Sequence, residues 1–263
     1  MISSTVNKLA DNLSHTILNS DDPKTVADGA PAFLLLMDSL LIDSANNLDL
    51  LQSSATLYGA YASVFVADPK RAALMTSKAI GYAEQALCLS DNTLCEIRQA
   101  DFSAFTQQVR QINKNVLKPW FVFGSSWAGW IKANNGSMSA IAELPKVSLI
   151  MERIIELDES WQNGSAHLYM GVLKTLIPPA LGGKPEQARQ HFERAIELSE
   201  GRNLMVKVLF AEKYARLVFN QTLHDQLLND VIHSDPYRND LTLMNTLAQK
   251  KARTLLESSD EYF

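Results

Sequence analysis

Histidines, cysteines and a crowd of aromatic side chains have the most chemistry to offer in this 263-residue chain. His15, His167, His191, His224 and His233 are scattered along it. No two stand at the i, i+4 spacing of a helical metal site and no HExxH occurs, so the sequence implies no metal. Gly124-Ser125-Ser126-Trp127-Ala128 loosely resembles a nucleophile elbow. That chemistry needs a strand feeding a sharp turn into a helix, and no strand pattern precedes it; the serines read as small helix-packing residues. Gly182-Gly183-Lys184-Pro185 is a turn between helices whose proline opens the next one, not a phosphate loop. No catalytic residue and no cofactor follows, and binding becomes the default.

The aromatic cluster Trp120, Phe121, Phe123, Trp127 and Trp130 is the unusual stretch. In one reading these residues fill the core of a helical hairpin. In the other, some line an apolar cavity for a ligand. Tyr58, Tyr61, Trp120, Trp127, Trp130 and Tyr169 are the candidates for its wall, with Arg202, Asn203 and Lys207 as polar groups that fix a ligand or brace a turn. Asn203 also reads as the cap of a helix starting near Leu204. Arg98, Arg110, Lys114 and Lys118 lie alongside, either to meet a carboxylate or as a solvated face. Cys88 and Cys95 are too few for a disulfide scaffold, yet a turn between helices could join them in an oxidising compartment. Equally, Cys88 reads as a small buried hydrophobe.

The elements that must position these groups announce themselves by repetition. Ala86-Leu87-Cys88-Leu89-Ser90-Asp91 recurs as Ile154-Ile155-Glu156-Leu157-Asp158-Glu159, Ala195-Ile196-Glu197-Leu198-Ser199-Glu200 and Val231-Ile232-His233-Ser234-Asp235-Pro236. The phrase resembles the end of the second helix of a tetratricopeptide (TPR) unit. Ala188, Phe192 and Ala195 keep the A-x3-F-x2-A spacing of that helix, and Ala79, Ala83 and Ala86 with Val147, Met151 and Ile154 fall in the same frame. Successive anchors are separated by 68, 41 and 36 residues, against about 34 in a regular TPR, so the repeats are degenerate. The long first interval requires an insertion, placed near 92–118 and read as helical from Ile97, Phe102, Phe105, Val109 and Ile112.

The spacing predicts an all-α fold, a TPR-like α-solenoid of about four degenerate helical hairpins with capping helices at both ends, in one domain over 1–263. N-terminal capping helices occupy 1–47, beginning with an amphipathic stripe of Val6, Leu9, Leu13 and Ile17. Pro23 and Pro31 each read as a helix start. The helix from Ala32 to about Asp43 is apolar on nearly every face and is expected to lie between layers. Hairpins fill 48–236. A last capping helix within 237–263 carries Leu241, Met244, Leu247, Ala248, Ala252 and Leu255.

Composition narrows the partners. The net charge is -5, and no basic run grips a phosphate backbone or an anionic leaflet, so nucleic acid is excluded as a partner. The apolar run from Ala32 stops at Asp38, and the Trp120 to Ile131 stretch falls short of the roughly 20 residues a bilayer requires, so no membrane span is expected.

Several phrases between the repeats carry a resemblance. They include Gly29-Ala30-Pro31-Ala32-Phe33-Leu34-Leu35-Leu36-Met37-Asp38-Ser39-Leu40, Leu57-Tyr58-Gly59-Ala60-Tyr61-Ala62, Asp68-Pro69-Lys70-Arg71-Ala72, Gly201-Arg202-Asn203-Leu204-Met205-Val206-Lys207 and Leu243-Met244-Asn245-Thr246-Leu247-Ala248. From about Asp22 onward the chain resembles the T component (TatT family) of tripartite ATP-independent periplasmic (TRAP) transporters. The resemblance implies a periplasmic accessory rather than an enzyme. Such an accessory is a lipid-anchored homotrimer that docks the substrate-binding subunit (the P component) and holds or passes a hydrophobic or organic-acid ligand through an internal cavity. No lipobox cysteine precedes Ile2, so the resemblance implies a lipid anchor carried by the full-length precursor, with Met1 in place of a removed signal peptide. The alternative is a generic TPR adaptor for protein–protein interaction.

Overall fold

Short polar side chains placed ahead of apolar runs set where the helices begin. Asn47, Asp68, Asp101 and Asn220 each accept a backbone N–H at the start of the helix that follows, satisfying amides that have no partner inside the helix. The computed structural model describes residue 8 and residues 12–176 and 183–263. Among them every element is a helix and no strand occurs. The residues divide into two compact units, Lys24–Leu157 and Asp158–Phe263, the second of which includes Leu13–Pro23.

The first unit is built on α2 (Pro23–Asp43), α3 (Leu48–Phe65), α4 (Pro69–Ser90), α5 (Phe102–Arg110), α6 (Leu117–Ala133), α7 (Met138–Ile141) and α8 (Leu144–Asp158); α1 (12–18) precedes them in the chain. Helices α3 and α4 form a hairpin, and α6 packs against both. Ala79, Ala83 and Ala86 are buried at the seam. Gly59 lies so near it that a Cβ there would stand 3.9 Å from that of Ala79. Gly124 does the same for α6 against α8, since a Cβ would meet Met151 Cε at 2.9 Å. The Gly124–Ala128 segment is mid-helix packing, as its serines read from sequence, with Ser125 Oγ donating to the Val122 carbonyl at 3.1 Å.

Three expectations are corrected in this unit. Pro31 does not start a helix, because α2 runs unbroken through it from Pro23. Neither is α2 enclosed between layers. Val26, Phe33, Leu34, Met37 and Leu41 are buried, whereas Leu35 is 68% exposed and Ile42 80%. Taken whole, α2 is long and apolar enough to cross a membrane by length and composition. Asp38 near its C-terminal end is hydrogen-bonded to side chains of α3 and α4. In the insertion the helix is shorter than its apolar pattern. It starts at Phe102, which is exposed, while Ile97, Phe105, Val109 and Ile112 are buried.

In the second unit, α9 (Ser165–Lys174) and α10 (Pro185–Leu198) form a hairpin. Gly171 lies flat against the Phe192 ring, where a Cβ would meet ring carbons at 2.9 Å. Helix α11 (Leu204–Leu209) continues into a π turn over Phe210–Ala215. Then come α12 (Gln221–His233), α13 (Thr242–Glu257) and α14 (Ser259–Tyr262). One core joins Ala188, Phe192 and Ala195 to Phe210, Leu228, Val231, Ala248 and Ala252. Residues 12–18 are helical, and the segment behind them is tied to the loop before α13: Asp240 N–H donates to Asn19 Oδ1 at 2.9 Å and Tyr237 Oη to Asp21 Oδ2 at 3.2 Å. Val6 and Leu9 of the N-terminal stripe, and Gly182, lie outside the described residues.

Candidate functional site

The sequence candidates fall in separate places, so each is built from its own neighbours. In the first unit, Trp120 and Trp127 are buried. The rings of Phe105, Trp120, Phe123 and Trp127 stand 5.1–6.4 Å apart in edge-to-face and tilted pairs, the arrangement aromatic quadrupoles prefer. Trp127 Nε1 donates to Glu143 Oε2, which also accepts from Arg98 Nε at 3.0 Å. Trp130 is half-buried. The Arg98 guanidinium sits 4.1 Å from its ring centroid, a cation–π contact. Glu84 lies 3.7 Å from Arg98 Nη1; burial raises its pKa, against the pull of Arg98. Lys146 Nζ donates to the carbonyls of Arg98 and Ala100 at 2.7 and 2.6 Å. Arg98 thus faces two carboxylates and the indoles of Trp127 and Trp130, and it fastens the insertion to the hairpin.

Tyr58 and Tyr61 belong to a different cluster. Asp38 accepts from Tyr58 Oη at 2.7 Å, from Tyr82 Oη at 2.6 Å and from Lys78 Nζ. Burial alone would raise the Asp38 pKa, but the hydrogen bonds from Lys78, Tyr58 and Tyr82 outweigh it and hold the carboxyl below its ordinary value. Burial, then the carboxylate it bonds to, pushes Tyr82 up to about 12. Tyr61 Oη donates to the Ala27 carbonyl at 3.2 Å. Cys88 and Cys95 are joined in a disulfide with their Cα atoms 4.4 Å apart, bracing the turn from α4 into the insertion.

In the second unit, Tyr169 is half-buried on α9, Arg202 is exposed and Lys207 stands 3.5 Å from Asp230 Oδ2. Asn203 occupies the cap position of α11 but its side chain caps nothing. The cap comes instead from Asn245 of α13. Its Oδ1 accepts the Leu204 N–H at 3.0 Å, and its Nδ2 donates to the carbonyls of Arg202 and Pro236 at 3.0 and 3.2 Å. Asn245 is fully buried. A second feature that spacing hid is His167 beside His191, with their Nδ1 atoms 2.9 Å apart. No group of three or more metal-ligating residues is found among the described residues.

A family model described as the TRAP transporter T-component matches residues 19–263. The chain belongs to that family. A search of curated proteins returns no match. The T-component family is a transporter accessory family associated with the periplasm, and described residues that form helices and no strand suit that assignment. Of the T-component residues singled out from sequence, Trp120, Trp127 and Trp130 come together in one unit, with Tyr58 and Tyr61 in the neighbouring Asp38 cluster. Asn245 and the two histidines were missed. Asn245 gave one signal, an Asn inside an apolar helical stripe, which buries only with its hydrogen bonds satisfied.

Proposed function

We propose that this chain is the periplasmic accessory that docks the substrate-binding subunit of a TRAP transporter, working as a homotrimer and carrying out no reaction of its own. The match to the T-component family over residues 19–263 carries the reading. Two features support it. The Cys88–Cys95 disulfide suits an oxidising compartment such as the periplasm. Helix α2 leaves Ala32, Leu35, Leu36 and Ile42 exposed along one stripe, broken only by Ser39, and contiguous apolar surface of that kind is what association covers. The stripe is assigned to the contact between copies. A ligand-holding role draws on the aromatic residues, and Trp120 and Trp127 are buried in ring contact with Phe105 and Phe123. Docking is therefore the role proposed. Native mass spectrometry of the wild type and of a Leu35→Glu/Ile42→Glu variant tests the assembly. A wild-type trimer that falls to monomer in a folded variant is the expected result. A wild-type monomer contradicts it, and a trimeric variant removes α2 from the interface.

A further inference from the structure

We propose that His167 and His191 form an open, two-histidine site for a first-row divalent cation of the imidazole-binding kind, zinc or copper, which clips α9 to α10. The close seating of Gly171 on Phe192 brings the two helices together. The imidazole rings then stand 5.0 Å apart, tilted by 45°, with Nδ1 facing Nδ1 at 2.9 Å. Nitrogens about 2.0–2.1 Å from a shared ion stand roughly 2.9–3.4 Å apart at inter-ligand angles of about 90–110°. The pair needs little or no adjustment to reach that spacing.

Each of the other three histidines has an oxygen partner at Nδ1. For His15 it is Asp240, for His224 it is Asp225, and for His233 it is the Asn229 carbonyl. Only His167 and His191 turn this atom toward another imidazole. A carboxylate stands close to where metal-bound histidines take their outer support. Glu159 Oε2 lies 3.6 Å from His167 Nε2, and Glu159 is held by Arg194 Nε at 3.0 Å. His167 Nε2 is buried and makes no hydrogen bond.

Without a cation, one Nδ1–H is shared between the rings. On binding, that proton moves to Nε2 of its own ring and the cation takes its place. Both rings then carry their proton at Nε2, and that of His167 points at Glu159. Both rings are also disposed to be neutral. Burial lowers His167, and burial together with His167 and Lys174 lowers His191 to about 4. Little proton competition is left at neutral pH. Arg194 is neutralised by Glu159 and Glu197, while Lys174 works against a cation. No third His, Cys, Asp or Glu completes the set among the described residues, so water fills the remaining positions.

Isothermal titration of tag-free, chelator-stripped protein with Zn2+, with Cu2+ and with Mg2+ tests the site, independently of any docking role. One Zn2+ or Cu2+ per chain is expected, with no saturable Mg2+ heat. His191→Asn and His167→Gln should each weaken binding by about tenfold or more, and His233→Asn should leave it unchanged. No saturable binding of either ion overturns the proposal, as does wild-type affinity in both variants. Circular dichroism checks folding. Should His167→Gln fail to fold, the half-buried His191→Asn decides alone.

Discussion

The Tyr61 hydroxyl donates to the carbonyl of Ala27 at 3.2 Å, and Ala27 stands four residues before Pro31 in the same helix. Proline has no N–H to return to that carbonyl. A side chain of α3 therefore supplies the bond that the sequence of α2 cannot, and α2 continues where proline normally ends a helix. Tyr61→Phe should destabilise the first unit by about 1–2 kcal/mol, since the carbonyl is left with no protein donor. In a Pro31→Ala background the same change should cost clearly less, because the backbone N–H returns. Urea unfolding of the four proteins in this cycle measures the coupling, and equal costs in both backgrounds would refute the link.

Asp38 accepts from residues on α3 and α4 and so joins three helices. Its folded pKa lies below the ordinary value of 3.8, so the unfolded chain takes up a proton first as pH falls. The contribution is present above about pH 4–5 and is lost as pH drops through the folded pKa. Asp38→Asn should cost about 2 kcal/mol at pH 7 and flatten the acid limb of a stability-against-pH curve. A variant as stable as wild type at pH 7 would show the network to be ornamental.

Asn245 caps α11 from a distance, while Asn203 at the cap position does not. Asn245→Ala should therefore cost about 2–3 kcal/mol, leaving the Leu204 N–H and two carbonyls without protein partners. Asn203→Ala should change stability by less than about 0.5 kcal/mol. Thermal melts of the two variants decide, and the reverse ranking would overturn the assignment.

These cases show what the sequence could and could not disclose. Ala79, Ala83 and Ala86, Val147, Met151 and Ile154, and Ala188, Phe192 and Ala195 are buried, because small and apolar residues at fixed helical steps can only face a neighbouring helix. That information is local and periodic. Pro31 and Asn203 were misread for the opposite reason. Local rules place a helix start and a cap there, and partners 34 and 41 residues away, Tyr61 to Ala27 and Asn245 to Leu204, override them. The histidine pair was illegible because its members sit on different helices, 24 residues apart, where no spacing rule for one helix applies.

The pair also makes a prediction without metal. Burial holds His191 at about 4, against an ordinary 6.5. A lowered histidine pKa means that the unfolded chain binds the proton first, so stability is full above about pH 6.5 and falls as pH drops toward 4. Allowing for solvent screening at a half-buried ring, the loss should be about 1–2 kcal/mol. With chelator present, His191→Asn should abolish that part of the slope in urea titrations between pH 7 and 4.5. An unchanged slope would place the titration elsewhere.

The proposed role of this chain is to hold a transporter's substrate-binding subunit. Its most direct test is isothermal titration of the purified chain against the substrate-binding subunit of the same TRAP system, with an unrelated TRAP substrate-binding protein as control. Saturable binding to the cognate subunit, with one subunit per copy of this chain and none for the control, is the predicted result. No binding to the cognate subunit, by a protein shown to be folded and assembled, would rule out the docking role.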